Sequence, residues 1–300
     1  MQVIQNTALR LLVSCLILFV STLVSFVSAS AQELPYFVTY SHHMEEPGSL
    51  ELENKLTSGK PSGGDRFFGF PFELEYGTRA WWTSELYLEG QGTASDSTVF
   101  TGFRLENRLR LLLTEHFINP VLYVEFEDIN GANRSILEVV GHDSQSDVTG
   151  LNSQNRAEKK REVEFKAIFS SNLRGWNLAE NFITEKNIRH APWEFGYAAA
   201  ASRPLRLAGG TRNTIFAPEN FAVGIEMYGG LGDTASLTIG DTSHYIGPTI
   251  NWSIPNGPTI TASPNFGLTD SSLPHIYRFG VAYELGQISS LFHLPSKGDR

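Results

Sequence analysis

The chain has 300 residues, of which 41 % are hydrophobic and 12 % aromatic, and its formal net charge is −9. This acidic balance argues against nucleic acid or an anionic membrane surface as a partner, because both attract basic proteins. The single cysteine, Cys15, lies in a leader that we expect to be removed. The mature chain is therefore predicted to have no disulfide and no cysteine-based metal or nucleophilic site.

The first residues in chain order have the layout of a secretory signal peptide. Arg10 precedes the nearly wholly apolar run 11–27, and Ala29–Ala31 gives the small-x-small cleavage pattern. The alternative is an uncleaved anchor, since the run approaches the roughly 17 residues that a short spanning helix needs. Ser and Thr interrupt the run and the cleavage pattern follows it directly, so we predict that residues 1–31 are a removed signal peptide. No later segment approaches a spanning helix.

The rest of the chain alternates between apolar and polar residues almost throughout. Phe103 and Leu105, for example, oppose Arg104 and Glu106, and a sustained period of two indicates strands rather than helices. Most candidates have about nine to twelve residues, the length of a membrane-spanning strand. The predicted strands are 49–57, 66–77, 80–91, 98–112, 120–128, 161–171, 174–186, 193–203, 220–229, 243–254, 258–269 and 275–286.

The character of the two strand faces favours a membrane barrel. One face is rich in Phe, Trp, Tyr and Leu, with aromatic residues such as Tyr76, Trp82, Tyr123 and Trp252 near strand ends, as in interfacial girdles. The other face is dense in Glu and Arg. The predicted fold is all-β, a single transmembrane antiparallel β-barrel of about 12 strands, because strands in lipid cannot leave edge groups unpaired. A soluble secreted β-sandwich is the lesser alternative.

The predicted organisation is a signal peptide (1–31), an N-terminal segment (32–48), the barrel (49–286) and a C-terminal tail (287–300). The location is the bacterial outer membrane, and the partners are outer-membrane lipid and the barrel-assembly machinery. Such barrels commonly end on a terminal aromatic, whereas this chain continues past Leu285 to Arg300. The connection Ile129–Lys160 is predicted to be extracellular. Its part Arg134–Val140 would form a helical turn or fold inward as a constriction loop, and Arg156–Glu164 would be solvated.

Several runs of the mature chain are similar to a known group of proteins. The runs are Ala31–Tyr40 with Glu45–Gly48, Asn119–Gly131, Glu138–Asp143, Glu194–Ala198 and Glu226–Asp233. Through them the chain resembles an exported bacterial outer-membrane β-barrel family of uncharacterised function. The resemblance implies the fold and the location and implies no substrate.

The sequence offers weak candidates for chemistry. Asp241–His244 contains Ser and His, but neighbours on a strand alternate faces and cannot form a relay, and no Gly-x-Ser-x-Gly motif is present. His42 and His43 with Glu45 and Glu46 suit zinc or copper, although a solvated polar segment is the preferred interpretation. We therefore predict no enzyme, no catalytic residues, no metal and no cofactor.

The charged inner face is the strongest functional signal. Charged rings inside a barrel tune ion selectivity, whereas opposite charges on adjacent strands can pair and fill the lumen. The first hypothesis is a narrow channel or transporter for small solutes, and the alternative is a non-conducting structural or ligand-binding barrel. The residues predicted to line the lumen are Glu73, Glu75, Glu85, Glu89, Arg104, Glu106, Arg108, Arg110, Glu125, Glu127, Glu162, Glu164, Lys166, Glu226 and Arg278.

Overall fold

The computed structural model describes residues 34–136, 138–189, 192–207 and 214–288. The predicted signal peptide and nearly all of the predicted C-terminal tail lie outside these residues. No helix within the described ranges is long and apolar enough to cross a membrane.

The described residues form thirteen strand segments and very little helix. The helical elements are one short helix, α1 (Asn152–Asn155), and the 3-10 turns Gln145–Val148 and Pro218–Asn220. The strands are β1 (Ser49–Gly59), β2 (Phe67–Gly69), β3 (Phe72–Arg79), β4 (Trp82–Thr93), β5 (Thr98–Arg110), β6 (Asn119–Asn130), β7 (Lys159–Leu173), β8 (Trp176–Asn187), β9 (Glu194–Pro204), β10 (Phe221–Asp233), β11 (His244–Ser253), β12 (Thr259–Gly267) and β13 (His275–Gln287).

The sheet closes on itself. From β3 to β13 each strand pairs antiparallel with the next, and β13 pairs back onto β1, with Leu52 opposite Tyr283. Segments β2 and β3 both pair with β1 and with β4, so they occupy one position in a barrel of 12 strands. The predicted strand 66–77 is thus broken, because Pro71 has no backbone N–H to give to the sheet. The predicted all-β antiparallel barrel is confirmed.

The two ends of the barrel differ in their connections. At the end where β1 begins and β13 finishes, here the terminal end, Arg174–Gly175 joins β7 to β8. Both residues have positive φ, 52° and 82°, the requirement of a type I′ hairpin turn that glycine meets without strain. At the opposite end, the loop end, residues 131–158 join β6 to β7. The connection 205–220 lies at the terminal end and is also long, in contrast to the two-residue turn between β7 and β8 at the same end.

The outer face of the barrel is apolar and exposed. Phe70, Phe103 and Phe165 are 40 %, 39 % and 42 % exposed, whereas a two-sheet sandwich would bury them. The sandwich alternative is therefore wrong. The prediction of Tyr123 as an interfacial aromatic is also wrong, because Tyr123 is buried inside the barrel next to Tyr40.

Two segments that do not belong to the wall lie inside the barrel. From the terminal end, residues 34–45 run into the lumen, and from the loop end the long connection folds inward at Arg134–Val140. The alternative of an inward fold for that stretch is confirmed for its described residues, since Arg134, Ser135, Val139 and Val140 are all buried. Arg156–Glu164 is only partly solvated, because β7 begins at Lys159 and turns Glu162 and Glu164 into the barrel.

Candidate functional site in the charged interior

The predicted lumen residues are removed from bulk solvent and form several groups of contacts. Glu75 and Arg110 are half-buried, and the other thirteen are buried. Thirteen of them lie on β3 to β7, while Glu226 on β10 and Arg278 on β13 stand apart. Arg278 donates to the Tyr228 hydroxyl at 3.1 Å.

The strand register brings acidic residues directly opposite one another on successive strands. Strands tilt against the barrel axis, so a line of paired residues climbs along the lumen as it goes round. Like charges in such positions repel each other. We call this line the acidic row; from the terminal end to the loop end its ten residues are Glu284, Glu51, Glu75, Glu85, Glu106, Glu125, Glu164, Glu185, Glu194 and Asp233.

Three basic side chains offset the repulsion in the middle of the row. Arg108 donates through Nε to Glu85 at 2.6 Å and also pairs with Glu75. Arg104 donates to Glu125 at 3.2 Å and, outside the row, to Glu89 at 2.7 Å. The Nζ of Lys166 lies 2.9 Å from Glu164. Buried charges need such pairing, because leaving one of them alone in a low dielectric is costly.

The N-terminal segment 34–45 is held mainly by one buried carboxylate. Glu226 Oε1 accepts hydrogen bonds from the backbone N–H groups of Phe37, Val38 and Thr39 at 3.1, 2.9 and 2.9 Å. Side chains also hold the backbone of Tyr40, since Asn181 accepts from its N–H at 2.7 Å and donates to its C=O at 2.8 Å. Within the described residues, we find no backbone–backbone hydrogen bond from 34–45 to the wall. The segment is therefore an occupant of the lumen and not a strand.

The side chains of the segment reach the charged interior. The Tyr40 hydroxyl donates to Glu106 at 2.9 Å, and Tyr36 accepts from Ser202 at 2.8 Å. Burial, and then the Glu106 carboxylate, raise the pKa of Tyr40 well above its usual value, so its hydroxyl stays protonated. Burial also lowers the pKa of His42, although Glu115, 3.1 Å from its Nε2, acts in the opposite direction. The interpretation of 42–46 as a solvated segment is wrong for His42, which is buried.

The inward loop carries its own charged residues to the same layer. Glu138 accepts from Arg104 at 3.1 Å and lies 3.4 Å from the Nζ of Lys166. Although burial raises the pKa of Glu138, these two cations lower it overall. Ser135 donates to Glu89, and Arg134 donates to Thr93 at 2.6 Å. The loop is thus tied to β4 through Glu89 and Thr93, to β5 through Arg104 and to β7 through Lys166.

Two polar cavities lie on either side of the central layer. The terminal cavity, about 400 Å³, is lined by residues 34–45 and by Glu51, Glu75 and Glu85. The loop cavity, about 360 Å³, is lined by Glu185 and Glu194 and by the inward loop. Glu106, Glu125 and Glu164 line neither cavity. The acidic row therefore begins at one cavity, crosses the buried layer and ends at the other.

The interior also brings together residues of the types that serve in nucleophilic catalysis or metal binding. Ser170, His42 and Glu115 lie in a chain, since Ser170 Oγ contacts His42 Nδ1 and Glu115 contacts Nε2. Ser170 also accepts from the His42 N–H at 2.8 Å and lines neither cavity, so the contact positions the segment and offers no nucleophile to a substrate. Two carboxylate trios could hold a metal by distance, Glu73–Glu75–Glu85 and Glu125–Glu138–Glu164. Basic side chains already pair with both trios, Lys55 and Arg108 with the first and Arg104 and Lys166 with the second.

Sequence reasoning missed several interior residues. Glu51, Glu194 and Glu284 share the inward parity of their strands, and that parity was a usable signal. Tyr40 and Glu138 gave no such signal, because they lie outside the strands and reach the interior only through the tertiary fold.

The chain was compared with known families, sequences and structures. No family model and no curated sequence matches the chain. Its structural neighbours are bacterial outer-membrane porins and channels. The COG4313 outer membrane channel from Pseudomonas putida F1 has a TM-score of 0.47 at 11 % identity, over 84 % of this chain and 98 % of that one. A KdgM porin in complex with disordered oligogalacturonate gives 0.44 at 8 % identity, over 78 % and 98 %. The NanC porin gives 0.43 at 10 %, also over 78 % and 98 %. At these values the comparisons carry no conclusion about activity.

Proposed function

We propose that the protein is a bacterial outer-membrane channel for small solutes, narrow and weakly cation-selective, and that residues 34–45 close it at rest. The observation that carries the proposal is that the N-terminal segment 34–45 occupies the lumen. The segment fills the lumen through side-chain contacts such as those of Glu226 and Asn181, so it can leave without breaking a strand pairing. A barrel whose wall is complete without its occupant can open without unfolding.

The sector of the wall that faces the segment supports the same proposal. Small or uncharged side chains such as Gly280, Ser202 and Asn177 leave the space that the segment occupies. Without the segment, this space would join the terminal cavity and become water-filled. Carboxylates outnumber basic residues on the inner face, and a narrow low-dielectric pore magnifies the field of each charge. Cations would therefore pass more readily than anions.

The test compares two chains in a planar bilayer: the mature protein and a variant that lacks Leu34–Glu45. The mature protein should give small, brief conductance steps. The deletion variant should give larger and longer steps, with a reversal potential in a salt gradient that favours cations. Asp65→Asn, an exposed change at a residue that lines neither cavity, is the control and should behave as the mature protein.

A non-conducting structural or ligand-binding barrel is the second candidate, and the pairing of Arg104, Arg108 and Lys166 with the acidic row favours it. In that case neither chain would conduct, although both would still migrate as folded barrels on an unboiled gel. Arg108→Ala would then lower stability and open no conductance.

A further inference from the structure

We propose that the loop cavity is a binding site for a small organic cation with ammonium groups on an aliphatic chain, and that the acidic row is the path that receives it. This inference names a substrate class for the proposed channel and so rests on that function.

Two carboxylates at the loop cavity, Glu185 in the acidic row and Glu127 beside the row, lack the partners that the centre of the row has. Glu127 and Glu185 are only 4 % and 6 % exposed, and both line the loop cavity. In the part of the chain that the structure describes, neither carboxylate has a hydrogen-bond donor or a basic group within 4.0 Å. Their carboxylate oxygens are not fully enclosed by protein atoms, so they face the cavity. Two buried carboxylates without partners indicate a missing cation.

The register increases the charge density around these two groups. Glu127 stands opposite Glu162 on β7 and opposite Arg104 on β5, although Arg104 forms its ion pairs with other carboxylates. Glu185 stands opposite both Glu164 and Glu194. Directly opposed like charges on neighbouring strands cost stability. Lys160 lines the same cavity but forms no ion pair within 4.0 Å of the described carboxylates. The site therefore keeps a net negative charge that a bound cation would neutralise.

The spacing of the carboxylates favours an extended organic cation over a bare metal ion. A metal needs its ligand atoms close together, and Glu127, Glu185 and Glu194 are not among the groups of described residues whose ligand atoms lie within 4.8 Å of one another. A chain with separated ammonium groups can reach such dispersed carboxylates. Apolar side chains that also line the cavity, Val139, Tyr245 and Leu273, would contact its methylene groups. The volume, about 360 Å³, lies in the range of small-molecule sites.

The arrangement also suggests how the cation would enter the row. Arg104, Arg108 and Lys166 already occupy the central positions as tethered cations, paired with Glu125, Glu85 and Glu164. A mobile cation bound at Glu185 stands next to Glu164 in the row. It would advance by competing with Lys166 for that carboxylate, while Lys166 keeps its second carboxylate, Glu138, 3.4 Å from its Nζ.

The test is calorimetric titration of the full mature chain in detergent with spermidine as the probe, so it does not depend on conduction. The double variant Glu127→Gln with Glu185→Gln should bind spermidine about tenfold more weakly or worse, because charge-assisted hydrogen bonds are lost. Glu180→Gln is the matched control, since Glu180 lies on the same strand β8 but on its exposed outer face, and it should bind as the parent does. Glu185→Asp keeps the charge and should bind within a few-fold of the parent.

Three results would overturn the proposal. The double variant could bind as tightly as the parent, Glu180→Gln could weaken binding equally, or Mg²⁺ could bind more tightly than spermidine, which would make the cavity a metal site. A heat-dependent gel shift checks that each variant is folded. If spermidine binds as expected and the bilayer experiment shows no conductance in any chain, the channel is wrong and a ligand-binding barrel stands. If the deletion variant conducts and spermidine binding ignores Glu127 and Glu185, only this site is wrong.

Discussion

At the scale of single residues, Glu226 connects the barrel wall to the N-terminal segment 34–45 inside the lumen. One carboxylate receives the N–H groups of three consecutive residues, Phe37, Val38 and Thr39, and each bond is strengthened by the negative charge. Glu226 is fully buried while the segment is in place. The backbone dipoles that stabilise its charge thus belong to a segment that can leave the lumen.

We expect Glu226→Gln to loosen the N-terminal segment without unfolding the barrel. The amide keeps one acceptor oxygen but loses the charge, which should cost about 2 kcal/mol and raise the population of the released segment roughly thirtyfold. Hydrogen exchange at the amides of Phe37–Tyr40 measures this change. Glu180→Gln on the outer face should leave those exchange rates unchanged, and equal protection in both variants would contradict the assigned role of Glu226.

His42 should make the segment sensitive to acid. Burial lowers its pKa, so the seated segment resists protonation, whereas the released one takes a proton below about pH 6.5. The segment is therefore bound most strongly in the lumen above that pH. As the pH falls through this value, the equilibrium constant for its binding decreases by at most about tenfold per pH unit. The groups that face the ring are Ser170, Glu115, His43, Asn172 and Arg110.

The measurement is the conductance of the mature chain at pH 7.5 and at pH 5.0, with more open events expected at the lower pH. His42→Asn cannot titrate and should remove most of the difference. A pH response that persists in His42→Asn would assign it to another group, of which the first candidate is His43, whose ring lies 4.8 Å from that of His42.

At the scale of elements, the barrel wall and its two internal segments have different kinds of stability. The wall is a continuous ladder of backbone hydrogen bonds that opens only as a unit. The segment 34–45 and the inward loop depend on side-chain contacts and close packing, so they can be altered one at a time.

Gly69→Ala should displace the inward loop. A Cβ at Gly69 in β2 would lie 2.6 Å from the Arg134 carbonyl oxygen and 2.8 Å from the Ser135 Cα, both of them backbone atoms that cannot rotate away. We expect faster proteolysis within residues 131–158 and a larger conductance in the chain that lacks Leu34–Glu45. Gly92→Ala, on the adjoining strand, meets first the Thr98 side chain and is the control. An unchanged cleavage rate in Gly69→Ala would show that the loop does not pack on β2.

At the scale of the whole molecule, burial is inverted relative to a water-soluble protein. Charged residues occupy the interior, while large apolar residues such as Leu122 and Phe126 cover the outside. This distribution is unfavourable in water, which would be in contact with the apolar surface, and favourable in lipid. It supports the proposed location in the outer membrane.

Val124→Arg should therefore destabilise the barrel in lipid by about 2–4 kcal/mol, because Val124 is the sixth of the twelve residues of β6 and shares the outward parity of Leu122 and Phe126. Unfolding by denaturant in vesicles, followed by the loss of the heat-dependent gel shift, measures this cost. Leu151→Arg, an exposed change in the loop before α1, should have little effect. A soluble protein purified without detergent, equally stable in both variants, would contradict the membrane location.

The sequence by itself determined the strands and the face that each residue occupies. Arg104 and Glu106 could be assigned to one face and Phe103 and Leu105 to the other, because successive side chains on a strand point to opposite sides. Long strands, in an even number, then implied a closed barrel. The tertiary structure decided which carboxylates meet. Periodicity fixes the face of Glu85, Glu164 or Glu185 but not the stagger between strands, and only the stagger joins them into the acidic row. It also decided what fills the lumen, since residues 34–45 and Glu138 reach Glu226 and Arg104 through contacts between distant parts of the chain that no local pattern encodes.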